Sequence, residues 1–403
     1  MRVSGSKNAA LPIIAASILN GGLTELHNVP NISDIKIMLQ ILEKLGCKVE
    51  HDSDKIVINS KDINSFEIPA DLMHKMRSSV SIVGALIGRF KNCTFTYPGG
   101  CDIGKRPIDL HLKAFEKLGV NVRMKETNIR CIAEEMKPSE IILNFPSVGA
   151  TENIMLASVF IDGVTIIKNA AKEPEIEDLQ NILNKMGANI KGAGSDTVKI
   201  TGVDHLENVS YSVMPDRIEA GTLLCAVAAN NGSIKLINTE PRHMEKTLEK
   251  LKECGCDISI EKNQISLKAP EKLSYVDIKT EPYPGFPTDM QSIFVATLIK
   301  SDGTSSMEEN IFENRYKYVS ELKKMGVDII QEERKIKITG VKNVKATNVK
   351  AIDLRGGAAL VIAALQAKGI TEISNIEYIL RGYEDLDEKL RKLGAKIKVE
   401  EGE

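Results

Sequence analysis

Apolar and polar positions along the 403-residue chain fall into one pattern that recurs six times. A helix-like segment ends in an apolar residue. A glycine follows, and then a segment of alternating character. The copies are LEKLGCKVE (42–50), FEKLGVNVR (115–123), LNKMGANIK (183–191), LKECGCDIS (251–259), LKKMGVDII (322–330) and LRKLGAKIK (390–398); Cys254 fills the apolar slot in the fourth. Their glycines, Gly46, Gly119, Gly187, Gly255, Gly326 and Gly394, are spaced by 73, 68, 68, 71 and 68 residues. A glycine there predicts a helix that stops in the left-handed conformation, which costs a residue without Cβ little. The alternation after it, as in Ala188-Asn189-Ile190-Lys191, predicts a half-buried strand.

A second piece recurs ahead of these segments. It is an apolar helix, a short turn and a β-branched strand, as in 152–169, 220–238 and 357–375. Helices apolar on most sides belong in a core, whereas the partner helices, such as 179–186, are amphipathic and face water. Each unit thus reads helix–strand–helix–strand, and six units over this length make two domains of three. The expected fold is α/β: two inside-out α/β barrels, each of three repeated βαβαβ-type units around buried helices. The first domain is expected over 7–212 and the second over 213–403, with residues 1–6 joining the second. No GxGxxG follows a strand, which argues against a dinucleotide-binding sheet.

Composition narrows the function. Hydrophobic residues make up 42% and charged residues 27%, and the net charge is -2, so no nucleic-acid or membrane partner is indicated. No apolar run approaches the roughly 20 residues of a membrane helix, and the start lacks a signal-peptide core, so a cytoplasmic protein is expected. Seven scattered cysteines suit free thiols in a reducing compartment. No His/Cys cluster has metal-site spacing, and neither a metal nor a cofactor is expected.

Candidate chemistry gathers at the starts of the apolar helices: Gly5-Ser6-Lys7-Asn8, Met76-Arg77-Ser78-Ser79, Ser147 to Thr151, Pro215-Asp216-Arg217, Pro287-Thr288-Asp289 and Asp353 to Gly357. Read singly, each Asp, Ser or Thr there is a cap. Recurrence in six equivalent units carries the functional reading. Two facing domains would aim six helix N-termini at one cleft, which together with Lys7, Arg77, Arg217 and Arg355 would suit phosphates and carboxylates. The stretch 98–107 has three glycines, two prolines and three charged residues, and reads as a mobile lid. Its Cys101 lies by Lys105 and Arg106, cations that favour the reactive thiolate. His111 reads as a packing or capping residue.

At these residues the chain resembles the enolpyruvyl transferases that act on UDP-N-acetylglucosamine. The shared motifs are SGSKNAALP (4–12), KMRSS (75–79), PGGCDIGKRPIDLH (98–111), PSVGATENIM (146–155), AAKEPEI (170–176), PDRIEAGT (215–222), FPTDMQ (286–291), FENR (312–315), DLRGGAALV (353–361) and RGYEDL (381–386). They run in order over nearly the whole chain. The resemblance implies transfer of the enolpyruvyl group of phosphoenolpyruvate to the sugar 3-hydroxyl, with phosphate released, at the first committed step of peptidoglycan synthesis. It implies that Lys7, Arg106 and Arg381 bind the phosphate and carboxylate of phosphoenolpyruvate, with Arg77 and Arg355 supporting them. Asn8 would hold the sugar, and Asp289 would take the proton of its hydroxyl. Cys101 would serve as general acid, form an adduct or aid product release. The nucleotide would meet Arg77, Arg106, Pro107, Leu110, Ser147 and Gly149, with Ile311 and Phe312 near the nucleotide sugar.

Two departures stand out. The family opens with a further strand before KNAAL, so either an unpaired edge is expected in the second domain or the start is wrongly placed or truncated. Phe145 stands where some members carry Lys. Transfer to shikimate 3-phosphate, a non-catalytic paralogue and a repeat scaffold remain the competing readings.

Overall fold

The computed structural model describes residues 1–99, 103–104 and 108–400. The chain is mixed α/β and divides into two compact units. Of the described residues, one holds 5–99 and 108–214, and the other 1–4, 103–104 and 215–400.

The first unit carries three sheets. In one, Val209–Ser212 runs parallel to Leu23–His27, which pairs antiparallel with Lys55–Asn59, itself antiparallel to Lys48–Asp52. In the next, Asn92–Phe95 and Asn121–Met124 flank Ile129–Ile132, and Glu67 forms a parallel bridge to Thr94. In the third, Glu140–Ile142 lies parallel to Val164–Lys168, followed by Thr197–Thr201 and Asn189–Lys191. Each sheet therefore takes a parallel edge from the segment leaving another hairpin. The last strand, Val209–Ser212, returns to the first sheet and closes the unit. Asp178 ties this return down, accepting from Tyr211 Oη at 2.6 Å and Met214 N at 3.1 Å.

Inside lie the helices Lys7–Ala16, Ser81–Phe90 and Val148–Ser158, buried over most of their length as their apolar sequences require. Glycine lets two of them touch backbone to backbone. A Cβ on Gly84 would fall 2.6 Å from the Asn153 carbonyl oxygen. Outer helices bury one stripe only: in Pro174–Lys185 the apolar part of that stripe is Ile176, Leu179, Ile182 and Leu183.

The second unit repeats the scheme around Arg217–Ala228, Gln291–Thr297 and Leu354–Leu365. One sheet orders Ser233–Ile237, Gln264–Lys268 and Asp257–Glu261; another orders Ile278–Lys279, Thr304–Glu308, Lys335–Thr339 and Asp328–Glu332. Two parallel pairs complete it, Val344–Lys345 with Ala367–Lys368 and Asn348–Lys350 with Glu372–Ser374.

All six repeat glycines have positive φ. At Gly46 (φ 108°) the helix Ser33–Leu45 ends with Cys47 N–H bonded to the Leu42 carbonyl, the hydrogen-bond pattern that calls for a left-handed residue.

Two expectations need correction. The sixth glycine, Gly394, does stop a helix, Leu386–Lys392, but residues 395–398 are not a strand. In the other five units the segment after glycine pairs with the strand that follows it, and no such partner follows here among the described residues. Nor is the edge of the second unit's first sheet wholly open. Arg2 forms a parallel bridge to Ile237; Val3 N–H donates to the Ile237 carbonyl at 3.1 Å, and Ile237 N–H to the Met1 carbonyl at 2.9 Å. Residues 1–3 thus pair along that edge.

Candidate active site

In the first unit the helix starts carry the polar groups. Ser6 caps Lys7–Ala16, its hydroxyl accepting from Ala9 N–H at 3.3 Å. Lys7 is 8% exposed and its Nζ donates to Asp34 Oδ2 at 3.1 Å, with Asp34 itself buried. A carboxylate in the next helix thereby holds the ammonium in place. Asn8 and Arg77 are half-buried, the latter opening the 3₁₀ turn Arg77–Val80. Ser147 caps Val148–Ser158 through Ala150 N–H at 3.3 Å. Gly149 sits against His111, whose Cε1 would be 3.2 Å from an added Cβ. His111 is buried and pairs with Asn153 Nδ2 at 3.1 Å, while Asn153 Oδ1 accepts from Gly84 N–H at 2.7 Å. Leu110 is half-buried beside them, and Phe145 is 43% exposed.

One turn into the Ser147-capped helix lies a buried acid, Glu152. Burial, then the neighbouring Glu175, push its carboxyl up to about 8, against a weak opposing contact from Ser81 Oγ at 3.4 Å. It stays protonated in neutral solution.

In the second unit Asp216 and Asp353 are caps, each accepting two backbone N–H groups at the start of its helix. Arg217 is buried, its guanidinium 5.5 Å from the Tyr283 ring centroid. Asp289 is different. It lies in the 3₁₀ turn Thr288–Met290 and is gripped from both sides: Arg315 Nη2 donates to Oδ1 at 2.8 Å and Arg355 Nη2 to Oδ2 at 3.0 Å. Both arginine side chains are 3% exposed, against 26% for Asp289. Burial works against the two guanidinium charges. Asp289 and its neighbours, Tyr383 foremost for Arg355, nonetheless hold both arginines above their ordinary range. Arg355 Nε and Nη1 and Arg315 Nε are buried with no acceptor among the described residues. Buried donors without acceptors are costly.

The segment 309–315 organises this region. Glu309 is fully buried; it accepts from Thr288 Oγ1 at 3.0 Å and from Ile311 and Phe312 N–H at 2.9 and 3.0 Å. The Arg315 guanidinium lies 5.6 Å from the Phe312 ring centroid. Ile103 and Gly104, in the glycine-rich stretch, meet the same segment: the Ile103 carbonyl accepts from Asn314 N–H at 3.0 Å. Arg381 is half-buried at the end of the turn Glu377–Leu380.

The structure thus brings Asp289 and Arg355 into direct contact and seats Gly149 on His111. Cys101, Arg106 and Pro107 lie outside the described residues. Sequence reasoning assigned no role to Asp34, Glu152, Glu309 or Arg315. Arg315 closes the FENR motif and Glu152 lies within PSVGATENIM, usable signals both; Asp34 and Glu309 carried none. Among the described residues no group of three or more His, Cys, Asp or Glu side chains is placed to hold a metal ion.

Comparison with known proteins places the chain in a family. Residues 1–390 match the family model for EPSP synthase (3-phosphoshikimate 1-carboxyvinyltransferase). A UDP-N-acetylglucosamine 1-carboxyvinyltransferase 2 of Caldanaerobacter subterraneus subsp. tengcongensis is 49% identical over 98% of this chain and 95% of its own. A UDP-N-acetylglucosamine 1-carboxyvinyltransferase 1 of Carboxydothermus hydrogenoformans is 48% identical over 100% of this chain and 96% of its own. Among solved structures, the enolpyruvyl transferase NikO from Streptomyces tendae superposes with a TM-score of 0.89 at 23% identity, over 99% of this chain and 95% of that one. EPSP synthase from Acinetobacter baumannii gives 0.77 at 18%, over 100% and 97%. The structural likenesses speak for the fold; the sequence matches show that the chain belongs to the EPSP synthase family of enolpyruvyl transferases.

Proposed function

We propose that this chain transfers the enolpyruvyl group of phosphoenolpyruvate to the 3-hydroxyl of UDP-N-acetylglucosamine, releasing phosphate, and so begins peptidoglycan synthesis. The observation that carries the chemistry is Asp289 held between two buried arginines that keep unused donors. The acceptor substrate rests on relatives of that name, 44–49% identical over at least 98% of this chain.

In the proposed mechanism Asp289 takes the proton of the sugar hydroxyl as its oxygen bonds to C2 of phosphoenolpyruvate. A proton reaches the methylene carbon, from Cys101 as general acid. Elimination then removes a proton from that carbon and expels phosphate, restoring the double bond. The intermediate keeps a phosphate and a carboxylate. Lys7, Arg106 and Arg381, supported by Arg77 and Arg355, would hold these charges throughout. Asn8 would hold the sugar. Arg77, Arg106, Pro107, Leu110, Ser147, Gly149, Asp289, Ile311 and Phe312 would line the path of the nucleotide sugar.

Each unit is proposed to be an inside-out barrel, its sheets wrapped around three buried helices. No described helix is long and apolar enough to cross a membrane, and the six described cysteines are free; a cytoplasmic location accords with both.

Mass spectrometry of the nucleotide sugar after incubation with both substrates tests the reading. Gain of one enolpyruvyl ether is expected. An unchanged nucleotide sugar from folded protein would sink it.

A further inference from the structure

Glu309 has no part in the proposed chemistry, yet it is a fully buried carboxylate with acceptor contacts on two sides. From one side the Thr288 hydroxyl, adjacent to Asp289, donates to Oε2 at 3.0 Å. On the other, Ile311 and Phe312 donate their N–H groups to Oε1 at 2.9 and 3.0 Å. Its own N–H is fixed on the Arg334 carbonyl at 2.8 Å, and the next residue, Asn310, is tied by two hydrogen bonds to Thr280. The segment it anchors then runs through Phe312 to Arg315, which reaches back to Asp289 at 2.8 Å. The loop is therefore pinned to the Asp289 turn at two points, Glu309 at its beginning and Arg315 at its end.

We infer that Glu309 is a positioning residue for the transfer: it sets the distance between the proton-accepting Asp289 and the loop that meets the nucleotide sugar. This rests on the proposed function, which gives Asp289 and Phe312 their roles. The physical argument is one of reach. A hydroxyl must lie within hydrogen-bond distance of its base, and the loop that meets the sugar nucleotide fixes where that hydroxyl sits. A carboxylate has lone pairs enough for three donors at once, and Glu309 also favours the charge of the nearby Arg315 guanidinium. A buried aliphatic side chain would leave Thr288 and two backbone N–H groups without an acceptor.

Three variants separate positioning from bulk stability. In Glu309→Gln the amide oxygen still accepts from Ile311 and Phe312, and the amide nitrogen donates to the Thr288 hydroxyl, which can reverse its role. Activity within about threefold of wild type is expected. Glu309→Ala should lower kcat/KM by about 10²-fold, with KM for UDP-N-acetylglucosamine raised, because a displacement near 1 Å is enough. Thr288→Val cuts only the Asp289 side, so kcat should fall with KM for the nucleotide sugar unchanged. In the double variant Thr288→Val adds nothing to Glu309→Ala.

Steady-state kinetics at a temperature where calorimetry shows every variant folded decides the matter. A Glu309→Ala enzyme that melts earlier but keeps wild-type kcat and KM overturns the inference, as does additivity in the double variant. Inactive wild type fails the proposed function itself, a separate result.

Discussion

Replacing Asp289 tests the centre of the site from two directions at once. The carboxylate accepts from two guanidiniums, at 2.8 and 3.0 Å, and both arginine side chains are 3% exposed. In Asp289→Ala those buried charges lose their shared counter-ion. Breaking a buried pair by deleting one partner costs about 3–5 kcal/mol. Asp289 itself is 26% exposed, and water entering its place screens the arginines, so the lower end, about 3 kcal/mol, is expected. For a cooperative unit of this size that is a fall of about 6–12 °C in Tm, read by calorimetry. Asp289→Asn keeps one acceptor oxygen and should lose less. Both variants should lose about 10²-fold or more in kcat, because neither can take the hydroxyl proton. The orphaned arginines should also make the alanine variant gain more thermal stability from added inorganic phosphate than wild type does. An asparagine variant with wild-type kcat would remove Asp289 from the mechanism. An alanine variant with unchanged Tm would refute the energetic reading of the clamp.

Other expectations follow from single residues. Cys101→Ser should abolish covalent labelling by an epoxide electrophile, read by intact-protein mass spectrometry; labelling that persists removes Cys101 as the reactive thiol. Glu152 is raised from 4.5 to about 8 by burial first and Glu175 second, with Glu173 also facing it. Between those pH values the unfolded chain has lost the proton and the folded chain has kept it, so this group's stabilising contribution falls as pH rises. Glu152→Gln should therefore flatten the decline in Tm from pH 5 to 8, and a parallel decline in both proteins would contradict that. Gly84→Ala places a methyl 2.6 Å from the Asn153 carbonyl and should cost about 1–3 kcal/mol in chemical denaturation; a neutral result would mean the two helices part easily.

The repeat was legible because its signals are local. A glycine that must be left-handed, an apolar helix and an alternating strand each announce themselves within ten residues, and all six glycines adopt positive φ. The sixth strand failed because the alternation at 395–398 says nothing about whether a partner strand exists. The pairing of Arg2 with Ile237 was missed for the converse reason: three residues carry no period, and their partner lies 235 positions away. Among the candidate residues of the two units, charged helix starts pointed to Lys7, Arg77, Asp289 and Arg355. Their fixing partners were invisible. Asp34, 27 residues from Lys7, lies in the first turn of an ordinary amphipathic helix, and Glu309 directly follows the strand Thr304–Glu308 with no period to mark it. Only the tertiary fold shows that both carboxylates are buried.

Phosphate release from phosphoenolpyruvate, measured side by side with UDP-N-acetylglucosamine and with shikimate 3-phosphate, tests the central claim most directly. Release with the nucleotide sugar alone is the predicted result, and release with shikimate 3-phosphate alone would keep the family and contradict the substrate.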